Sequence, residues 1–338
     1  MYNLCEKMNV NHHKCGKWVV AVNETEMEQL LHLERNGRQS GVEELRMLSK
    51  QEIVSQAESH LKASGVLLSP ESGIVDAHSF IQALETLSRN RGCEIALQHT
   101  LSRMERRAMS YKLTLLAPDQ EEMEIESETV VNCAGLNSDR VAEMLLKERL
   151  PMDYRLYQSK GFYFAYRGPN LLDSNRLIYP IPEKGVRTLG VHLTIDLNHN
   201  IKFGPDKHYM ARTDPPNYNF PEDPAELDRI KKRFLQSIQA YFPKIQHENL
   251  HPDYSGVRPT RASETDTAFK VGCAGPCLFD EIQCFFLQDF IINEEGPLGF
   301  PGLVNLVGIE SPGLTASLAI AEYTAALLGY KALDADLS

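Results

Sequence analysis

Two junctions far apart in the chain limit its fold more than anything else in the sequence. Thr129 to Gly135 reads TVVNCAG, a continuous apolar run ending in small residues, and LNSDRVAEMLLKE follows at once with helical periodicity. Leu303 to Gly308 reads LVNLVG, passes through IESPG and enters LTASLAIAEYTAALLGY. A strand apolar on both faces that leads straight into a helix belongs to a parallel, nucleotide-binding type of sheet. The 338 residues suffice for two domains, or for one large domain with an inserted lobe.

Between the junctions, Pro151 to Asp253 changes character. Its short aromatic strands KGFYFAYRG, NRLIYPIP, VRTLGVHLT and NIKFGPD, with the long amphipathic helix AELDRIKKRFLQSIQAYF, predict an antiparallel sheet with a helix on one side. Upstream, MYNLCEKMNV has apolar spacings of three and four, KWVVAV reads as a strand, and EMEQLLHLERNGRQSG as a helix. EELRMLS and Lys50 to Ser59 add a short strand and helix, and Gly65 to Gly73, with Pro70, reads as a loop. Asp76 to Asn90 is an amphipathic helix opened by an aspartate cap. EIALQHTL, YKLTLLA and MEIESETVVNCAG then predict a three-stranded meander whose last strand is the first junction. The fold class expected is mixed α/β, with a discontinuous Rossmann-like body at 66–150 and 255–338 and a lobe at 1–65 and 151–254.

Lys and Arg total 35 against 46 Asp and Glu, a net charge of -11, which disfavours a polyanionic partner such as nucleic acid. No apolar run approaches the roughly 20 residues that span a bilayer. The first residues carry neither a secretory nor a transit signature. Seven scattered cysteines suit free thiols in a reducing compartment, so the expected location is intracellular. His12, His13 and Cys15, like Cys273 and Cys277, lack a second ligand pair at zinc spacing and are read as incidental, as is the sequon at Asn23.

The second junction carries the most chemistry. Gly308 and Gly313 bracket a tight turn stiffened by Pro312, and a helix N-terminus attracts a phosphate or a developing anion. The alternative is a helix merely capped by Ser311. A hydrolase elbow is disfavoured, since Gly308-Ile-Glu-Ser311-Pro-Gly313 has one residue too many and proline removes an N–H that an oxyanion hole would use.

GIESPGLTASLAIAE, VVNCAGLNSDRVAE, CGKWVVAV, SGIVD, YPIP, GVHLT and SGVRP stand in one register over nearly the whole chain. Together they resemble the L-2-hydroxyglutarate dehydrogenase family, within the glycine-oxidase and D-amino-acid-oxidase-like group of FAD enzymes. The resemblance implies an FAD-binding α/β body with a substrate lobe roofing the flavin. It implies hydride transfer from a 2-hydroxy acid to flavin N5, with electrons leaving to a quinone or another acceptor. A related amine or amino-acid oxidase, and a non-catalytic relative, remain open. The family is often mitochondrial.

By the same resemblance, Gly308, Ser311, Pro312, Gly313 and Leu314 would face the flavin's pyrimidine end, where a helix dipole stabilises the reduced anion. Ala134 and Gly135 would lie against the dinucleotide, and Leu101 is in register with an adenine contact. Arg258 would hold the substrate carboxylate through a planar fork, with Arg261 as the nearby alternative. His192 would take or orient the hydroxyl proton. Tyr179, Tyr163 and Lys160 would line the same space, and no metal is expected. The sequence contains no G-x-G-x-x-G. That pyrophosphate-cradling motif is expected upstream of Met1, so the Rossmann-like domain is read as N-terminally truncated.

Overall fold

The computed structural model describes residues 1–55, 60–172, 175–181, 190–213, 215–261 and 289–330. Helix α1 (Tyr2–Lys7) buries Leu4 and Cys5, then β1 (His12–His13) leads to β2 (Lys17–Ala21). Helix α2 (Glu24–Gln39) starts where the Asn23 side chain accepts from the Glu26 N–H. Short elements follow: β3 (Arg46–Met47), α3 (Lys50–Ser55), β4 (Gly65–Ser69) and β5 (Ile74–Val75). Helix α4 (Ala77–Asn90) is capped by Asp76, which accepts from the Ser79 N–H.

Strands β6 (Thr100–Arg106), β7 (Tyr111–Leu116) and β8 (Glu122–Ser127) form an antiparallel meander. Strand β9 (Val130–Asn132) precedes α5 (Ser138–Leu146). Strands β10 (Tyr157–Tyr166), β11 (Leu177–Pro180), β12 (His192–Ile195), β13 (Ile201–Gly204) and β14 (His208–Met210) come next. Helix α6 (Pro224–Gln239) and β15 (Leu250–Thr260) follow, and β16 (Ile291–Glu294), β17 (Leu303–Val307) and α7 (Gly313–Leu327) close the described chain.

A nine-stranded sheet has the order β14-β10-β13-β12-β11-β2-β4-β3, with β15 on the other edge of β10. Its pairings are antiparallel except β11 with β2. A smaller sheet, β16-β17-β9, joins the two junctions, with β17 and β9 parallel as the buried-strand pattern predicts.

Strand alternation divides the large sheet's chemistry between its faces. Trp18, Ile178, Leu193, Phe203, Phe162 and Phe164 point to one side. There they pack with Ile230, Phe234 and Ile238 of α6 in the largest apolar core. Their chain neighbours Lys17, Tyr179, His192, Gly204 and Tyr163 are left for the other side.

Several expectations are corrected. The segment expected as a loop from Gly65 to Gly73 begins with strand β4, because Val66 and Leu67 are buried and pair with β2, while Pro70 only ends the strand. EIALQHTL is not a strand over its length; pairing starts at Thr100, and its Leu101 sits opposite Leu115. MEIESETVVNCAG is two strands in two sheets, broken around Glu128. Strand β9 is not buried on both faces, since Val131 is 39% exposed. The boundaries drawn at 65/66 and 254/255 cut through β4 and β15, each of which stays whole because its ladder lies in the large sheet.

Candidate active site

One cross-strand row organises the face opposite α6. The register of β11 with β12 sets Ile178 against Leu193, which places Tyr179 beside His192. Strand β12 sets His192 against Gly204, and the β13–β10 pairing continues the row to Tyr163. The Tyr179 and His192 rings stack at 3.8 Å and 19°, and Tyr163 stacks on Tyr254 of β15 at 4.4 Å. Gly204 is the gap between them. It has φ of +140°, and a Cβ there would fall 2.5 Å from the Phe162 carbonyl oxygen, so no larger residue fits without moving β10.

A cation flanks the row on each side, offset along its strand: Lys17 pairs with Leu177 and Arg258 with Ser159. Lys17 Nζ lies 5.0 Å from the Tyr179 ring centre. Arg258 pairs with Ser159 and brings its guanidinium over Gly161, where a Cβ would lie 3.6 Å from Nη2. His192 is 7% exposed, and burial drives its pKa down to about 4, with Arg258 and Lys17 adding to the fall. Its Nδ1 lies 3.2 Å from the Gly190 carbonyl oxygen. A carbonyl only accepts, so the proton sits on Nδ1 and Nε2 keeps its lone pair. Burial raises Tyr179 and Tyr163 to about 12, so both phenols are neutral and can donate.

The expected residues separate clearly. His192, Tyr179, Tyr163 and Arg258 come together. Lys160 does not: it shares a face with Phe162, lies 5.2 Å over that ring and donates to the Asn219 carbonyl. Arg261 is held elsewhere, donating at 3.2 Å to the Asp153 backbone oxygen and carboxylate, with its stem across Gly308. Gly308 has φ of +71°, and a Cβ there would meet Arg261 Cδ at 2.7 Å. Strand β15 thus sets Arg258 beside the row, and Arg261 just past its end lies on the second junction.

At that junction Gly313 opens α7, with Leu314 exposed beside it. The alternative of a Ser311 cap is not seen: Pro312 holds the cap position and no side chain bonds the first turn, so Gly313 N–H donates to the Glu310 carbonyl oxygen and the N–H groups directly after it are left to an incoming group. Ala134 and Gly135 follow β9, where Asn132 Oδ1 accepts from the Ala134 N–H at 3.2 Å. Leu101, in register with an adenine contact, packs in the β6–β7 cluster with Met104 and with Leu303, where β17 begins. His12 and His13 pair with β5, and no metal cluster occurs among the described residues; Cys273 and Cys277 lie outside them.

Sequence reasoning passed over Lys17, Gly204, Tyr254 and Arg212. Arg212, just after β14, reaches Asp139 and the Leu136 carbonyl oxygen, tying the edge of the large sheet to the turn after β9. Only Lys17 left a signal, as a cation opening an otherwise apolar strand.

Residues 1–327 match the family model described as FAD dependent oxidoreductase. The chain belongs to that family. It is 32% identical to the mitochondrial L-2-hydroxyglutarate dehydrogenase of Arabidopsis thaliana over 96% of its own length and 68% of that protein's. It is 25% identical to the L-2-hydroxyglutarate dehydrogenase of Escherichia coli K12, over 77% of this chain and 65% of the relative. Among solved structures, the FAD-bound L-alpha-glycerophosphate oxidase of Mycoplasma pneumoniae superposes with a TM-score of 0.72 at 20% identity, covering 95% of this chain and 74% of that one. The glycine oxidase of Geobacillus kaustophilus gives 0.66 at 17% identity, covering 100% and 77%. The fold is that of an FAD-dependent oxidoreductase.

The second junction is suited to the flavin end of FAD. A groove of about 600 Å³ there is lined by Val131, Gly135, Leu306, Ile309, Gly313 and Ser317. A Cβ on Gly135 would meet nothing within 4 Å, and Ser317 Oγ is buried without a partner. Apolar walls, an open backbone and a spare hydroxyl suit a flat, largely apolar ring system with polar edges.

Proposed function

We propose that this chain carries the substrate side of an FAD-dependent dehydrogenase that oxidises L-2-hydroxyglutarate to 2-oxoglutarate. The observation that carries the reading is a neutral His192 with a free Nε2, in a row that Arg258 flanks. The relatives' names supply the substrate. In this reading Arg258 holds the C1 carboxylate through its planar fork. The substrate hydroxyl donates its proton to His192 Nε2, and the O–H electron pair becomes the new C=O bond. Tyr179 fixes the plane of the imidazole, and Tyr163 donates to substrate oxygen. FAD, when bound, supplies the acceptor for the α-hydrogen as hydride. Ala134, Gly135, Gly308 and the first turn of α7 would hold its flavin end.

The lobe is best drawn as residues 1–69 and 151–260, keeping β4 and β15 whole, with the cofactor body formed by the rest. A quinone or similar acceptor, rather than oxygen, would take the electrons, and the mitochondrial names of the plant and animal relatives favour that organelle. The test is steady-state turnover of FAD-supplemented protein with an artificial electron acceptor, comparing L-2-hydroxyglutarate, glycine, sarcosine and D-amino acids. Turnover of the hydroxy acid alone, without peroxide, is expected. Peroxide formed from an amine substrate moves the chain to the oxidases of this fold.

A further inference from the structure

Lys17 and Lys160 both have a pKa lowered by burial and no carboxylate partner among the described residues, but Lys160 donates to the Asn219 carbonyl on the α6 side, whereas Lys17 lies on the His192 side. It is half-buried on a strand whose next four residues are buried, and its long stem lies along the His192 face. Burial lowers its pKa, and no carboxylate among the described residues offsets the loss. Lys14, Lys112, Lys202 and Lys232 each pair with a carboxylate. A cation held this way, in a protein of net charge -11, is short of an anion. Lys17 Nζ lies 5.0 Å from the centre of the Tyr179 ring, which stacks on His192, and the Arg258 guanidinium lies over Gly161 on the same face.

The placement says what that anion is. Lys17 borders the stacked Tyr179 and His192 rings from the β2 side, and Arg258 lies over Gly161 from the β15 side. The proton acceptor thus has a cation to either side on one face of the sheet, which matches a ligand that carries two carboxylates.

We propose that Lys17 is the specificity-determining residue of this site, its ammonium taking the distal carboxylate of a dicarboxylic 2-hydroxy acid while Arg258 takes the carboxylate beside the hydroxyl. The inference rests on the reading above and deepens it. Tyr179, between Lys17 and His192, keeps the two nitrogens apart, so the lysine selects the substrate without taking part in proton transfer.

The test compares L-2-hydroxyglutarate with L-2-hydroxybutyrate, which lacks the distal carboxylate, by calorimetric binding and by kcat/KM on FAD-supplemented protein. Wild type is expected to favour the dicarboxylate by about 100-fold, and Lys17→Met to remove about 30- to 100-fold from that ligand alone, the loss typical of one desolvated charge pair. Lys17→Arg should restore most of it. Should Lys17→Met not fold, the 5-methyl ester of L-2-hydroxyglutarate makes the same cut on the ligand, and wild type must bind it like the monocarboxylate. Equal loss for both acids, or wild type binding both equally, overturns the role of Lys17 while leaving the proposed activity standing. Wild type that binds neither acid overturns both.

Discussion

Helices α6 and α7 are sixteen and fifteen residues long, yet their sequences are used in opposite ways. Helix α6 is rich in charge and buries a narrow stripe, Ile230, Phe234 and Ile238, against the large sheet. Helix α7 carries one charged residue, Glu322, and is built from small and apolar residues, but only Gly313 and Thr324 are buried among the described residues. Periodicity, rather than hydrophobic content, marks the helix that holds the core. The apolar helix instead forms one wall of a groove and presents an uncapped first turn, features of recognition more than of stability.

The largest effect expected from this contrast is in α6. Phe234→Ala should cost about 3–5 kcal/mol, since the ring is fully buried among Phe164 and its neighbours. Urea unfolding followed by circular dichroism measures it, and a loss under about 1 kcal/mol would break the contrast.

The other face of the same sheet should respond to pH. The pKa of His192 in the fold, about 4, lies below its ordinary 6.5, so the unfolded chain binds more protons between those values. The stabilisation is therefore complete above about pH 6.5 and is lost as pH falls to about 4, by roughly 3 kcal/mol. His192→Gln should flatten that part of the stability–pH curve. An unchanged slope would show that other groups produce it.

The smallest effect belongs to α7. Ser317→Ala removes a buried hydroxyl that has no partner, so stability should stay within about 0.5 kcal/mol or rise. A loss above about 1.5 kcal/mol would place the helix with α6 as a core element.

What could be read beforehand follows from the same physics. Capped, periodic helices such as α4 and α6 were plain in the sequence, as were β2, β9 and β17 with their apolar runs. Strand β4 was hidden because Pro70 suggested a loop, while the partner that makes it a strand, β2, lies far off in sequence. The two strands around Glu128 looked like one, since a change of sheet leaves no local mark when both halves have strand composition. Of the candidate site, His192, Arg258, Tyr163 and Tyr179 came from family resemblance, and the structure brings them to one face of the sheet. Lys160 was misplaced by one step of alternation, which puts it on the α6 side. Lys17 and Gly204 come to the His192 face through cross-strand register, which one strand's sequence does not encode.

Trp18 is the chain's single tryptophan, fully buried on the strand that begins with Lys17, with the Arg176 guanidinium 4.2 Å from its ring centre. The molecule thus carries one indole emitter, on the strand that also presents Lys17 to the His192 side. Indole emission overlaps the near-ultraviolet absorption of oxidised flavin, so Trp18 and a bound flavin form a native donor and acceptor. Cofactor occupancy can be followed by energy transfer in the unlabelled protein.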